Sequence, residues 1–156
     1  MINLERRKAL KTGGGIGLLA ILTSVGLIQP SNALATYEVI AFDAKSMNET
    51  LAALGVNTPE DSMSVHLTVP EIAENGAVVP VTVSSLIDHT EQIYILVEKN
   101  PNVLAANFTF PDGTESFVTT RVKMRETSMI IALIKANGKF YRTSKEVKVT
   151  AGGCGG

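Results

Sequence analysis

The sequence of 156 residues contains no tryptophan, only one cysteine, and aromatic side chains at just 5% of its positions. A single cysteine excludes an internal disulfide, and with it the Cys…Trp…Cys core of antibody domains. The shortage of aromatic rings removes the stacking platforms on which proteins bind bases or sugars. A block of basic charge is missing too, since residues 36–156 hold 10 basic and 14 acidic residues. We therefore expect no nucleic-acid partner.

Recognisable catalytic and metal-binding patterns are also missing. The two histidines, His66 and His89, are far apart and occur in no His-x-His or Glu-x-x-His spacing, so we expect surface residues and no metal site. The sequence has no Gly-x-Ser-x-Gly nucleophile elbow, and its acidic residues are scattered. We interpret the protein as a non-enzyme without a cofactor of its own, on which other enzymes act.

The first 35 residues have the three-part layout of an export signal. The pair Arg6-Arg7 precedes an apolar run, GGGIGLLAILTSVGLIQ, and the cleavage pattern Ala33-Leu34-Ala35 follows. The arginine pair predicts export to the periplasm by the twin-arginine route, although Glu5 and Ala9 depart from the usual flanking residues. The apolar run is interrupted by glycines and is shorter than the ~20 residues of a membrane-spanning helix. We expect cleavage after residue 35 and no membrane association afterwards; a retained N-terminal anchor is the alternative.

The rest of the chain predicts one helix followed by a β-sandwich. Residues 36–61 contain DAKSMNETLAAL, which has apolar residues at helical spacing, Asp43 as a plausible N-cap and Gly55 as a C-terminal stop. Residues 62–150 change to period two, and turn signals separate seven strand-like segments. These are MSVHLTV, AVVPVTVSS, QIYILVE, VLAANFTF, ESFVTTRVKM, SMIIALIK and KFYRTSKEVKVT. In the first, Met63, Val65, Leu67 and Val69 are expected to face the same way. Such spacing is typical of an antiparallel, immunoglobulin-like sandwich, and ANGK is the strongest hairpin signal.

Two of these segments, QIYILVE and SMIIALIK, are apolar on both faces. One interpretation is that each is a central strand whose outer face is covered by the helix or by a loop. The other is that a second subunit covers this face, since a large exposed apolar patch normally marks an interface. The sequence leaves both open.

The chain ends in VKVTAGGCGG, where Cys154 is flanked by Gly152, Gly153, Gly155 and Gly156. Glycine carries no Cβ, so residues 151–156 are predicted to be a mobile arm that can thread a narrow channel and present a thiol-bound group to another protein. The steps from Val149 to Cys154 span at most about 17 Å. A terminal thiol without a role and a disulfide to a second copy are alternatives, and the disulfide does not account for the glycines.

Four features together resemble the SoxY family, the sulfur-carrier subunits of the bacterial Sox thiosulfate-oxidising system. They are the terminal VKVTAGGCGG, the segment ENGAVVPVTV, the stretch from RVKMRETS to NGKFYR, and the twin-arginine signal. The resemblance runs through the whole chain after the signal, and its most specific part is the Gly-Gly-Cys-Gly-Gly terminus.

The resemblance implies an immunoglobulin-like sandwich paired with a companion subunit, SoxZ, in the periplasm, with sulfur intermediates attached covalently to Cys154. It also implies three enzymes that act on this carrier. A haem enzyme oxidatively joins thiosulfate to the thiol, a manganese hydrolase releases sulfate, and in some organisms a sulfane dehydrogenase oxidises the remaining sulfur. Residue by residue, only Cys154 and its four neighbouring glycines carry over.

Two other kinds of protein fit part of the pattern. Ubiquitin-like sulfur carriers also end in Gly-Gly, but they activate the terminal carboxylate, here that of Gly156, in the cytoplasm and need no cysteine. The export signal and the β-sandwich pattern argue against them. A periplasmic interaction or scaffold domain whose terminal thiol only forms a disulfide dimer is the main alternative to a sulfur carrier.

Overall fold

The computed structural model describes residues 39–150 of the chain. All of them belong to the unit Thr36–Gly156, and the other unit, Met1–Ala35, lies outside the described residues. The predicted export residues Arg6-Arg7, Ala33 and Ala35 therefore lie outside the described range, as do Cys154 and its four glycines. Within residues 39–150, no helix is long and apolar enough to cross a membrane.

Two short helical stretches precede all the strands of the described residues. Residues 39–43 are helical, and helix α1 spans Met47–Ala53. The prediction that Asp43 is the N-cap is wrong, because the first stretch ends there and a new helix begins after Ser46. The Ser46 hydroxyl accepts a hydrogen bond from the Glu49 amide (3.3 Å), one of the donors that a helix start leaves without a partner. The predicted stop is confirmed, since Gly55 follows the last turn with a φ of 71°.

Nine strands account for most of the other described residues. They are β1 (Glu60–Asp61), β2 (Val65–Thr68), β3 (Ile72–Ala73), β4 (Val79–Ser85), β5 (Thr90–Val97), β6 (Leu104–Thr109), β7 (Phe117–Val122), β8 (Ser128–Ala136) and β9 (Lys139–Val149). Each of the seven predicted segments agrees with one strand to within two residues at either end. β1 and β3 were not predicted, because a strand of two residues shows no periodicity.

The strands form two sheets, and the predicted all-β sandwich is confirmed. One sheet has the order β1-β9-β8-β5-β6, with β3 also paired to β9, and the other has the order β2-β4-β7. The pairing is antiparallel, as predicted, except at the two unpredicted strands. Both β1 and β3 run parallel to β9, with Glu60 beside Tyr141 and Ile72 beside Lys148.

The sequence ANGK forms the turn between β8 and β9, so the predicted hairpin is confirmed. Asn137 and Gly138 have positive φ values of 52° and 70°, which a type I′ turn requires at both central positions. Ala136 pairs with Lys139 across the turn, and the ladder continues to the pair of Ser128 and Val147. This turn therefore sets the register of β9, the strand that leads to the C-terminal tail.

The main core lies between the two sheets. Its fully buried members include alternate residues of three strands: Val79, Val81 and Val83 of β4, Ile93, Ile95 and Val97 of β5, and Ile130, Ala132 and Ile134 of β8. Val65 and Leu67 of β2 face the same way, as predicted, and both are buried in the core. The prediction that Met63 faces the same way is wrong: its side chain is 96% exposed, because it lies in the turn before β2, where the alternation has not begun.

The outer faces of β5 and β8 are covered by α1 and neighbouring segments. Tyr94 and Leu96 of β5 and Leu133 of β8 belong to a second buried cluster, against which Met47 and Leu51 of α1 pack. Other buried members of this cluster are Ala41, Val56, Val103 and Leu104. Of the two interpretations of these strands, the structure therefore supports cover by the helix and loops. Helix α1 thus provides the apolar contacts for the outer face of β5 and β8.

Candidate functional site

The candidate site is the C-terminal tail, residues 151–156, which follows β9 and carries Cys154. Because these residues lie outside the described range, the structure informs the site through the place where the tail is attached. That place is Val149 and Thr150, the last two described residues, which we call the root. β9 is the longest strand of the described residues, at 11 residues, and its antiparallel ladder with β8 fixes the direction in which it leads to the root.

The parallel strand β3 holds one side of the root. The Lys148 amide donates to the carbonyl oxygen of Glu71 (2.9 Å), and the Thr150 amide donates to that of Ala73 (3.1 Å). The Thr150 hydroxyl also donates to the carbonyl oxygen of Glu74 (3.4 Å). β3 thus holds β9 through the last described residue.

A threonine side chain holds the other side of the root. The ladder with β8 reaches only as far as Ser128, which pairs with Val147, so two residues further along no β8 residue faces Val149. The Val149 amide donates instead to the hydroxyl oxygen of Thr127 (3.0 Å). Thr127 therefore substitutes for a missing strand residue, and an amide that would otherwise lose its partner is satisfied.

Packing fixes the root as well. Val147 is fully buried and Ala73 is 6% exposed, and both belong to the main core, against which Val149 packs. The consecutive amides of Lys148, Val149 and Thr150 are all hydrogen-bonded. From this fixed point Cys154 is four residue steps away, so its Cα lies at most about 14 Å from that of Thr150.

Sequence reasoning missed both elements that hold the root. β3 lies in the polar stretch PEIAENG, and Thr127 stands in RETS, just before an apolar strand. Neither stretch has a periodicity or a turn signal that indicates pairing with β9, whose residues paired with β3 lie 76 positions further along the chain, as Lys148 does from Ile72. Only the folded chain brings them together.

The histidines lie where the sequence placed them, on the surface. His66 is exposed on β2, and His89 lies in the loop between β4 and β5, with its Nδ1 atom 3.0 Å from Oδ1 of Asp112. The side chains of that pair are 65% and 81% exposed, so their interaction contributes little to stability. Within residues 39–150, no group of three or more His, Cys, Asp or Glu side chains could hold a metal ion.

Replacing Thr127 with valine is expected to speed hydrogen exchange of the Val149 amide by up to about tenfold, because valine keeps the shape of threonine but cannot accept the bond. Thr119→Val is the matched control, since the Thr119 hydroxyl bonds that of Thr82 (3.0 Å) on an exposed sheet face. Exchange is measured by NMR on both variants. Unchanged protection of Val149 in Thr127→Val would mean that the hydroxyl does not hold the root.

Comparison with known protein families gives a match over residues 50–154 to the family described as "Sulfur oxidation protein SoxY". The chain belongs to the SoxY family. The SoxY match begins inside α1 and includes all nine strands, the root and Cys154. The resemblance read from the sequence is thereby confirmed.

A solved SoxY structure supports the same assignment. It is the structure of the sulfur carrier protein SoxY from Chlorobium limicola f thiosulfatophilum, which is 35% identical, with a TM-score of 0.63, and the alignment covers 70% of this chain and 96% of that one. A superoxide reductase (neelaredoxin) from Ignicoccus hospitalis is also similar, at 22% identity and a TM-score of 0.49, over 55% of this chain and 79% of that one. A likeness this distant carries no functional argument. Comparison with curated proteins finds no match.

Proposed function

We propose that this SoxY-family chain is a periplasmic sulfur carrier that holds thiosulfate-derived sulfur covalently on Cys154 and presents it to partner enzymes. The observation that carries the proposal is the SoxY match, which extends through Cys154, the only cysteine of the chain. The 35% identical relative is itself described as a sulfur carrier protein. The thiol is the one strong nucleophile in the tail, and its glycine neighbours leave it sterically accessible.

The proposed chemistry begins with an oxidative conjugation. The Cys154 thiolate and thiosulfate form a new S–S bond and lose two electrons, which a haem enzyme accepts, and the product on the carrier is Cys–S–S–SO3⁻. Water then cleaves the bond between the sulfane and sulfonate sulfurs, which releases hydrogensulfate and leaves the persulfide Cys–S–SH. A manganese hydrolase catalyses this step, and a sulfane dehydrogenase, in organisms that have one, oxidises the remaining sulfur. The carrier itself contributes the thiol and the arm.

The contacts of the root support a carrier that contributes only the thiol and the arm. The three consecutive bonded amides of Lys148, Val149 and Thr150 fix where the tail begins, whereas Gly152 and Gly153 add no side chains next to the cysteine. Ordering a glycine-rich segment in a channel opposes binding by roughly 1–2 kcal/mol of backbone entropy per residue. This entropy cost favours weak, reversible binding. A carrier needs such binding because it must dissociate from each enzyme after every step.

We further propose that the mature chain begins at Thr36 after twin-arginine export, and that it pairs with a SoxZ-like companion subunit. The support for export is Arg6-Arg7 together with Ala33-Leu34-Ala35, and the support for the companion is membership of the SoxY family. The mass of the protein recovered from the periplasm tests the first proposal, and co-purification of a second, tag-free subunit tests the other.

Intact-mass spectrometry tests the carrier function directly. The reduced chain is mixed with thiosulfate, alone and together with the purified haem enzyme. We expect a gain of one S2O3 group only when the enzyme is present, and tandem mass spectrometry is expected to locate it on Cys154. A chain that stays unmodified, or that only forms a disulfide dimer, would contradict the proposal.

Replacing Gly155 and Gly156 with leucine is expected to separate a carrier from a thiol that merely dimerises. Two branched side chains next to Cys154 widen the tail and should lower the rate of enzymatic loading by at least about tenfold, since the tail no longer fits a narrow channel. Disulfide dimerisation in air is expected to survive, because it needs no channel. Asp88→Leu and Glu115→Leu, at exposed positions of the described chain away from the root, are controls for the added apolar surface. Equal loss of loading and of dimerisation would argue against a channel.

A further inference from the structure

Exposed apolar side chains lie on both ends of the segment that holds the root. Ile72 of β3 is 57% exposed and Val78, the residue before β4, is 51% exposed. Between them, the carbonyl oxygens of Ala73 and Glu74 accept the hydrogen bonds of Thr150. The chain from Ile72 to Val78, part of which binds the root, thus presents two branched apolar side chains to solvent.

Both side chains lie at the end of the sandwich from which the tail leaves. Ile72 pairs with Lys148, one residue before the root. Val78 is next to Val79, which pairs with Val122 at the end of β7. The chain after β7 then contacts this same segment, where the Met124 amide donates to the carbonyl oxygen of Gly76 (2.7 Å).

The length of the tail requires a partner to approach this end closely. The Cα of Cys154 lies within about 14 Å of that of Thr150 at full extension. A reaction centre that excludes water lies below the surface of its enzyme. An enzyme that takes in Cys154 therefore brings the rim of its channel against the residues around Thr150.

We propose that Ile72 and Val78 form a docking surface, the root collar, for an apolar rim around the channel mouth of the enzyme that loads Cys154. This inference rests on the proposed carrier function and names the surface through which it operates. Charge does not favour a strongly basic or acidic partner here, because the exposed neighbours include Glu71 and Glu74 as well as Lys148. The collar can therefore bind its partner mainly through apolar contact. Because it has only two side chains, the contact is small and dissociates readily.

The test compares two double variants in enzymatic loading. Ile72→Thr with Val78→Thr keeps the β-branched shape of both residues and makes them polar. Leu86→Thr with Phe117→Thr is the matched control, since these residues are 71% and 52% exposed. Leu86 follows β4 and Phe117 begins β7, so they lie at the far ends of these strands, about 20 Å from the collar.

The carrier is titrated against the purified haem enzyme with thiosulfate and oxidised cytochrome c, which accepts the electrons released in each turnover, in excess, and loading is followed by intact mass. We expect the collar variant to raise the KM for the carrier about tenfold with kcat nearly unchanged, and the control variant to leave both constants unchanged. The rate at which iodoacetamide alkylates Cys154 is expected to be equal in all three proteins, because the thiol itself is unaltered.

The possible results distinguish a failure of the collar proposal from a failure of the proposed carrier function. If the wild-type chain is never loaded, the carrier function fails. If the wild-type chain is loaded and the collar variant has the same KM, only the collar is overturned. A collar variant that no longer pairs with its companion subunit in gel filtration would also overturn the proposal, since the two side chains would then belong to that interface.

Discussion

Replacing Cys154 with serine is expected to abolish sulfur loading completely while leaving the free energy of unfolding within about 0.5 kcal/mol of wild type. Serine is nearly isosteric with cysteine, but its hydroxyl is a far weaker nucleophile and forms no persulfide. The residue follows the last described strand by five positions, beyond the root, so the pairing of β3 and β8 with β9 does not depend on it. Loading is measured by intact mass, and stability by urea unfolding.

Serine variants elsewhere in the chain provide the control for Cys154→Ser. Ala52→Ser changes an exposed residue of α1 and is expected to load like the wild type. A sulfur adduct that persists in Cys154→Ser would locate the carrier group at another residue. A loss of more than about 1 kcal/mol of stability would mean that the cysteine contributes to the fold.

Truncating Ile95 to alanine is expected to lower the free energy of unfolding by about 2–5 kcal/mol, a large part of the 5–15 kcal/mol typical of a domain. Ile95 is fully buried in the main core. Its strand β5 lies between β6 and β8, so the cavity left by three missing carbon atoms cannot collapse easily. Urea unfolding followed by circular dichroism measures the difference.

Two further variants keep the Ile95 prediction testable. Ile95→Val removes a single methylene and is expected to cost about 0.5–1.5 kcal/mol even if the alanine variant does not fold. Leu86→Ala, at a position that is 71% exposed, is expected to change stability by less than about 0.5 kcal/mol. Equal effects at Ile95 and Leu86 would contradict the assignment of the core.

The features that the sequence predicted correctly are those that depend on neighbouring residues. Asn137-Gly138 forms the β8–β9 turn because both residues tolerate positive φ, and Gly55 ends α1 for the same reason. Alternation indicated the strands that have one polar face, since period two follows from the pleat itself, and turn signals bounded β5 and β8, which are apolar on both faces. The helix start was missed because Asp43 and Ser46 are both good N-cap residues, and only the break after residues 39–43 decides between them.

Sequence alone also located the candidate site, because a lone cysteine between glycine pairs is distinctive without any fold around it. The surroundings of that site were decided by tertiary structure. Glu60 pairs with Tyr141 and Ile72 with Lys148, so β1 and β3 are strands only because β9 lies beside them. The cover of α1 over β5 and β8, and the bond from Val149 to Thr127, likewise join distant parts of the chain. The physical reason is that a turn or a cap is stabilised by its own few residues, whereas a two-residue strand gains its hydrogen bonds only from a partner that folding brings to it.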